Sequence, residues 1–135
     1  MAGQIDKVEI LPRKLIQDDR GWFLKVITGT EKGLPAATGE VYCTMGRPGQ
    51  TKGGHYHLLA VEWFTVIEGA AVLRLEDVVT HVRRDIELSL ERVQTVFIPN
   101  MVAHSVVNTG DTEFVLLAYT DRLYDPADTI PYEIA

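Results

Sequence analysis

Along most of the chain apolar and polar residues alternate with a period of two, the spacing that places side chains on the two faces of a β-strand. In HVRRDIELSL, residues 81–90, one parity holds Val82, Ile86, Leu88 and Leu90, and the other holds His81, Arg83, Asp85, Glu87 and Ser89. Such a segment predicts a strand with one buried and one wet face. The same reading predicts strands at Val8 to Ile16, Gly21 to Ile27, Glu40 to Met45, Gly54 to His57, Val61 to Glu68, Ala71 to Val78, His81 to Leu90, Thr95 to Ile98, His104 to Asn108 and Glu113 to Thr120. Turn chemistry separates them at RPGQTKGG, EGA and NTGDT, and the only helical feature expected is one turn near the C-terminus. Many short strands at this spacing predict an all-β sandwich or small barrel. No linker, repeat or low-complexity tract divides the pattern, so residues 1–135 are read as a single domain.

Composition changes this picture in two ways. Thirteen Lys and Arg against nineteen Asp and Glu give a net charge of -6, which disfavours nucleic acid and anionic membrane as partners. No segment approaches the roughly eighteen continuous apolar residues of a membrane-spanning helix, and the first residues lack an apolar run of signal-peptide length. Cys43 is the only cysteine, so these residues form no disulfide with one another, which agrees with a cytoplasmic, reducing location. It is read as a small strand residue.

The candidate chemistry lies in GGHYHLLAVEWFTVIEG, residues 53–69. His55 and His57 are two apart on a predicted strand and therefore share a face. Glu62 follows after a four-residue connection and shares its parity with Phe64 and Val66. An apolar strand face is an unfavourable place for a carboxylate without a cation or strong donor. His104 follows Pro99, with Val106 and Asn108 on its parity. Three imidazoles and one carboxylate converging inside a barrel suit divalent zinc, iron, nickel, manganese or copper, and leave a position open for water or a substrate oxygen. His81 falls on the wet parity and is read as structural, and Tyr124 and Asp125 either close the pocket or cap the last strand, the structural reading being preferred.

The intervals Gly49, His55, His57, Glu62, Gly69 match the first motif of the cupin superfamily, which this chain resembles. Pro99, His104 and Asn108 match its second motif, while Val93 and Met101 stand where that family has glycine. The resemblance implies a double-stranded β-helix, a jelly-roll barrel. DDRGWF, residues 18–23, and KGGHYH, residues 52–57, are similar to segments of the RmlC-like branch, which includes dTDP-4-dehydrorhamnose 3,5-epimerases, sugar 3,4-ketoisomerases and WxcM-like proteins. The ending NTGDTEFVLLAYTDRLYDP is similar to the C-terminal cupin domain of CapF-type capsular polysaccharide enzymes. On this resemblance the chain is expected to be an RmlC-like cupin that binds a divalent metal, zinc before iron, nickel or manganese, through His55, His57, Glu62 and His104. It is expected to epimerise or isomerise a nucleotide-linked 4-keto-6-deoxy sugar through an enolate, in polysaccharide or deoxysugar biosynthesis, as a homodimer.

The same resemblance puts the base role on His55, which competes with its role as ligand; Glu62, Tyr56 or a metal-bound hydroxide are the other candidates. It assigns Arg20, Lys52 and Arg47 to the diphosphate, and Trp22 or Phe23 to the base or sugar. The tyrosine that serves the rhamnose epimerases falls near Leu117, and the aspartate that partners their base has no counterpart, which favours a metal-assisted C3 epimerase or ketoisomerase over a 3,5-epimerase. Two other functions fit the ligands: a non-haem iron dioxygenase, and a metal- or sugar-binding cupin without catalysis.

Overall fold

The computed structural model describes residues 3–19, 21–36 and 39–134, with the side chains of 17 and 21–23 left out. In chain order the strands are β1 (Glu9–Pro12), β2 (Leu15–Asp18), β3 (Gly21–Leu24), β4 (Val41–Gly46), β5 (Thr51–His57), β6 (Glu62–Glu68), β7 (Ala70–Asp77), β8 (Arg83–Ser89), β9 (Gln94–Ile98), β10 (Val102–Val107), β11 (Phe114–Thr120) and β12 (Thr129–Pro131). They form two five-stranded antiparallel sheets, ordered β1-β9-β6-β11-β4 and β12-β5-β10-β7-β8, and β2 pairs with β3 apart from both. Short 3-10 turns cover Gln4–Lys7 and Pro126–Asp128, the second being the helical turn expected near the C-terminus.

The two sheets face each other over a core drawn from alternate positions of both. Phe64, Val66, Val96, Ile98, Phe114 and Leu116 point in from the first sheet, and Leu73, Leu75, Ile86, Leu88, Val102 and Val106 from the second. In β8 the expected parity holds for Ile86 and Leu88, but Val82 is 52% exposed, because the chain turns at His81 with a left-handed φ of 62° before β8 begins. In β6 the expected alternation of buried and wet fails. Trp63 and Thr65 face away from the core and are nonetheless buried, Trp63 stacked on Tyr119 and tilted against Phe97. Thr65 shares a hydrogen bond with Thr95, whose hydroxyl donates to the Val26 carbonyl. The segment after β3 is thereby held against the sheet.

The single strand expected at Val8 to Ile16 is two strands in different sheets. Pro12 has no N–H with which to continue the ladder, and Arg13 then leaves β1 to bond Thr95 through Nε (3.0 Å) and Glu31 through Nη2 (2.7 Å). Strand β12 is an addition to the reading above: three residues ending in proline carry no period, yet they pair with the edge of β5 at His55 to His57.

Candidate metal centre

A distortion of β5 positions the two histidines. Gly53 and Gly54 both adopt left-handed φ, 88° and 90°, and the pairing of β5 with β10 slips at this point, so that Ser105 is opposite Gly53 and His104 is opposite His55. Only glycine adopts this conformation without strain, and a Cβ at Gly53 would stand 2.9 Å from the His104 carbonyl oxygen. The bulge sets His55 edge-on to His104, with ring centroids 4.8 Å apart. Glu62 opens β6 across the barrel, in register with Thr120 of β11 and Ile98 of β9. His55, His57, Glu62 and His104 each offer one ligand atom, and these atoms all lie within 4.8 Å of one another.

Hydrogen bonds decide which ring nitrogens face the cluster. Nδ1 of His104 lies 3.2 Å from the Val102 carbonyl, which can only accept, so this nitrogen carries a proton and Nε2 faces the cluster. Nε2 of His104 is fully buried and has no hydrogen-bond partner; Glu62 Oε1, 3.4 Å away, is poorly aligned with it. Nδ1 of His57 faces the Asp128 carbonyl at 3.3 Å, and its Nε2 lies 2.8 Å from Glu62 Oε1. The other carboxylate oxygen of Glu62 accepts from the Tyr42 hydroxyl at 2.8 Å.

The electrostatics follow from this crowding. Burial, helped by His104 and His57 beside it, pushes the His55 imidazole down to about 4, so it is neutral at pH 7. For His57 burial acts downward too, but the hydrogen bond and charge of Glu62 outweigh it and the pKa is raised. Burial would raise Glu62, yet its contacts with His104 and His57 hold it below the carboxylate range. Burial and the neighbouring Glu62 push the Tyr42 phenol well up, so it stays protonated at neutral pH. A buried carboxylate, a buried imidazole nitrogen without a hydrogen-bond partner among the described residues, and a neutral imidazole beside them are a donor set that fits a divalent cation.

His55, His57 and Glu62 form the floor of a cavity of about 250 Å³, with His104 buried behind them, and the walls include Tyr42, Thr120, Arg122, Leu123, Tyr124 and Asp128. Tyr56 does not join it: it points from the opposite face of β5 and packs edge-on against Tyr132 at 5.8 Å between centroids. Arg47 sits exposed in the turn after β4 and Lys52 exposed on β5, and neither lines the cavity. Arg20 lies outside the described residues; Phe23 and Trp22 are in β3, and their side chains lie outside them too. Leu117, where the epimerase tyrosine falls, lies on the outer side of the first sheet, beside Leu24 and Val41.

Three residues that reading the sequence passed over belong to the site. Tyr42 was hidden because its strand mate toward Glu62 is fixed by the strand order, in which β11 lies between β4 and β6. Asp128 accepts from the backbone N–H groups of Leu59 (2.7 Å) and Ala60 (3.1 Å), holding the connection between His57 and Glu62. Among the described residues Arg122 is the single Lys or Arg that lines the cavity. Tyr124 and Asp125 line the cavity, and Asp125 caps the 3-10 turn Pro126–Asp128, rather than a strand, by accepting from the Ala127 N–H.

A jelly-roll barrel of two antiparallel sheets with such a cluster in its mouth is a cupin, of the RmlC-like kind. The chain belongs to the family described as the polysaccharide biosynthesis C-terminal domain, whose model matches residues 16–132. It is 27% identical over 108 residues to the UDP-2-acetamido-2,6-beta-L-arabino-hexul-4-ose reductase of Pseudomonas aeruginosa, covering 80% of this chain and 27% of that protein. The chain thus spans about a quarter of the length of the curated relative it matches. Among solved structures it is similar to CapF, a capsular polysaccharide assembling protein of Staphylococcus aureus, with 30% identity and a TM-score of 0.69 over 91% of this chain and 35% of that one. It shares its fold with a dTDP sugar isomerase of Desulfovibrio desulfuricans, at 18% identity and a TM-score of 0.87 over 97% of this chain and 87% of that one. It also shares it with the 3,4-ketoisomerase QdtA of Thermoanaerobacterium thermosaccharolyticum, at 22% identity and a TM-score of 0.74 over 91% and 86%.

Proposed function

We propose that this domain holds a divalent metal, zinc before iron, nickel or manganese, through His55, His57, Glu62 and His104, and epimerises or isomerises a nucleotide-linked 4-keto-6-deoxy sugar. The observation that carries the proposal is the buried, unpartnered Nε2 of His104, aimed at three further ligand atoms on the floor of an open cavity. Relatives that handle such sugars support the substrate class: a reductase named for a UDP-linked hexul-4-ose, and a ketoisomerase solved with TDP-4-keto-6-deoxyglucose.

In a 4-keto sugar the C3–H bond is acidic because its electron pair passes to the C4 oxygen as the proton leaves. A cation held by His55, His57, Glu62 and His104 would supply a Lewis acid for that oxygen. The chain supplies the rest. His55, neutral at pH 7 and facing the cavity, is either the fourth ligand or the group that takes the C3 proton, since one nitrogen cannot do both. Tyr56 faces away, so the hydroxyl at the cluster is that of Tyr42, a proton donor held by Glu62. Return of the proton to the other face of C3 gives epimerisation; protonation of the C4 oxygen to an enediol, followed by loss of the C3 hydroxyl proton and delivery of a proton to C4, gives the 3-keto isomer. Arg122, the cation of the cavity wall, contacts the diphosphate, with Tyr124 beside it as an aromatic surface.

Elemental analysis of protein purified without chelator tests the metal. About one zinc per chain is expected, lost in His57→Ala and His104→Ala. Loss in His55→Ala as well makes His55 a ligand; retention there makes it the base. Incubation with dTDP-4-keto-6-deoxyglucose in D2O tests the reaction, with deuterium expected at C3. No incorporation would overturn the isomerase reading, and iron in place of zinc would turn it toward dioxygen chemistry.

A further inference from the structure

On the far side of β5 and β10 from the histidines there is a second cavity, of about 450 Å³, lined by Thr51, Gly54, Arg74, Ser105, Tyr132 and Glu133 among others. It arises from the same glycine bulge. Ser105 is opposite Gly53 on one side and Arg74 on the other, so the Arg74 and Ser105 side chains stand on one face next to a strand with no side chain at that point. At Gly54 an added Cβ would lie 3.9 Å from the Ser105 hydroxyl and 3.7 Å from the Tyr132 carbonyl oxygen, so glycine leaves the floor open.

Arg74 is anomalous for a guanidinium. It is half-buried on β7, its Nε is out of reach of solvent, and it forms no hydrogen bond or ion pair among the described residues. The nearby carboxylates do not neutralise it. Asp85 stands directly across on β8, exposed and not paired with it. Glu76, two residues along the same face, is already occupied by the Tyr132 hydroxyl, by His81 at 3.4 Å and by Arg83 at 3.6 Å. Glu133 lines the cavity without bonding to Arg74. Ser105 as a residue is 6% exposed, and its hydroxyl, which borders the cavity, forms no hydrogen bond among the described residues.

An arginine Nε buried without an acceptor is unfavourable, and the outer edge of the guanidinium and the serine hydroxyl open onto the cavity, where a ligand can meet them. A guanidinium edge matches two oxygens of one oxyanion, and a serine O–H beside it supplies a further donor. We infer that Arg74 and Ser105 form a binding site for a small oxyanion, a carboxylate or a phosphate group, on the outer face of the β5-β10-β7 sheet. The site is separate from the metal cluster, though His104 and Ser105 are adjacent and take opposite faces of β10.

The test is a ¹H–¹⁵N NMR titration of the full chain with sodium phosphate and with sodium acetate, against sodium chloride at matched ionic strength. Saturable shifts are expected at the amides of Thr51, Gly53, Gly54 and Ser105, with affinity at least about tenfold weaker in Arg74→Gln. Saturation by phosphate alone identifies a phosphoryl ligand, and saturation by acetate as well identifies a carboxylate. Should Arg74→Gln not fold, Ser105→Ala, which removes one hydroxyl, is expected to weaken the same shifts. No saturable shift in the wild type, or shifts that the folded variants leave unchanged, would overturn the inference.

Discussion

Asp128 and Tyr42 show how single side chains turn a ligand pattern into a site. The Asp128 carboxylate ties down Leu59 and Ala60 while its carbonyl orients His57, so one residue fixes both the spacing and the tautomer of a ligand. Tyr42 donates to the carboxylate oxygen of Glu62 that His57 does not use. Tyr42→Phe is therefore expected to keep its metal and to lower kcat by roughly 10²-fold with little change in KM; an unchanged kcat would remove Tyr42 from the mechanism. Arg122→Gln is expected to do the reverse, retaining the metal and weakening dTDP or UDP binding by about 10- to 100-fold in calorimetry. Neither role was legible beforehand. The four ligands stood out because motif intervals and strand parity place them without knowledge of strand order, whereas Tyr42 and Arg122 reach the cavity from strands and turns whose neighbours are set only on folding.

The elements carry their own constraints. Gly53→Ala would place a side chain at φ 88° against the His104 carbonyl, and a cost of about 2 kcal/mol or more is expected in urea unfolding, together with loss of bound metal. Normal metal content in that variant would show that the bulge does not set His55. At the end of β7, Asp77 accepts from the backbone N–H groups of Ile5, Val79 and Thr80, at 3.0, 2.9 and 3.0 Å. Burial acts to raise its pKa, but those donors outweigh it and the pKa is lowered from 3.8. A carboxylate depressed in the folded state stabilises above its unfolded pKa and ceases to do so as pH falls through the folded one. Asp77→Ala is thus expected to cost about 2 kcal/mol at pH 7 and progressively less below about pH 4, measured as urea midpoints. The period-two pattern located most strands to within a residue or two. It could not show that residues 8–16 divide between sheets, since a proline at a strand end and a departing arginine leave parity intact.

For the whole molecule, the two sheets bring side chains from β5, β6 and β10 into one cluster, half-buried at His55 and His57 and buried at Glu62 and His104, that must hold imidazoles and a carboxylate in close contact. A cation that binds only the folded state stabilises it by mass action. Zinc at a hundred times its Kd is expected to add about 2.7 kcal/mol and raise Tm, and EDTA to reverse this; a Tm indifferent to both would contradict the metal site. The chain's alternation, its turns and the intervals between His55, His57, Glu62 and His104 were sufficient to indicate an all-β cupin and the four side chains that come together in it, because side-chain facing along a strand is a local property of the backbone. Tertiary structure alone decided which phenol meets Glu62, which cation borders the cavity, why Tyr56 faces away, and that Arg74 is left beside Ser105 without a partner. These depend on sheet order, on one glycine bulge and on chain returning from residues more than sixty positions away, and contacts between such distant segments leave no periodic trace in the sequence.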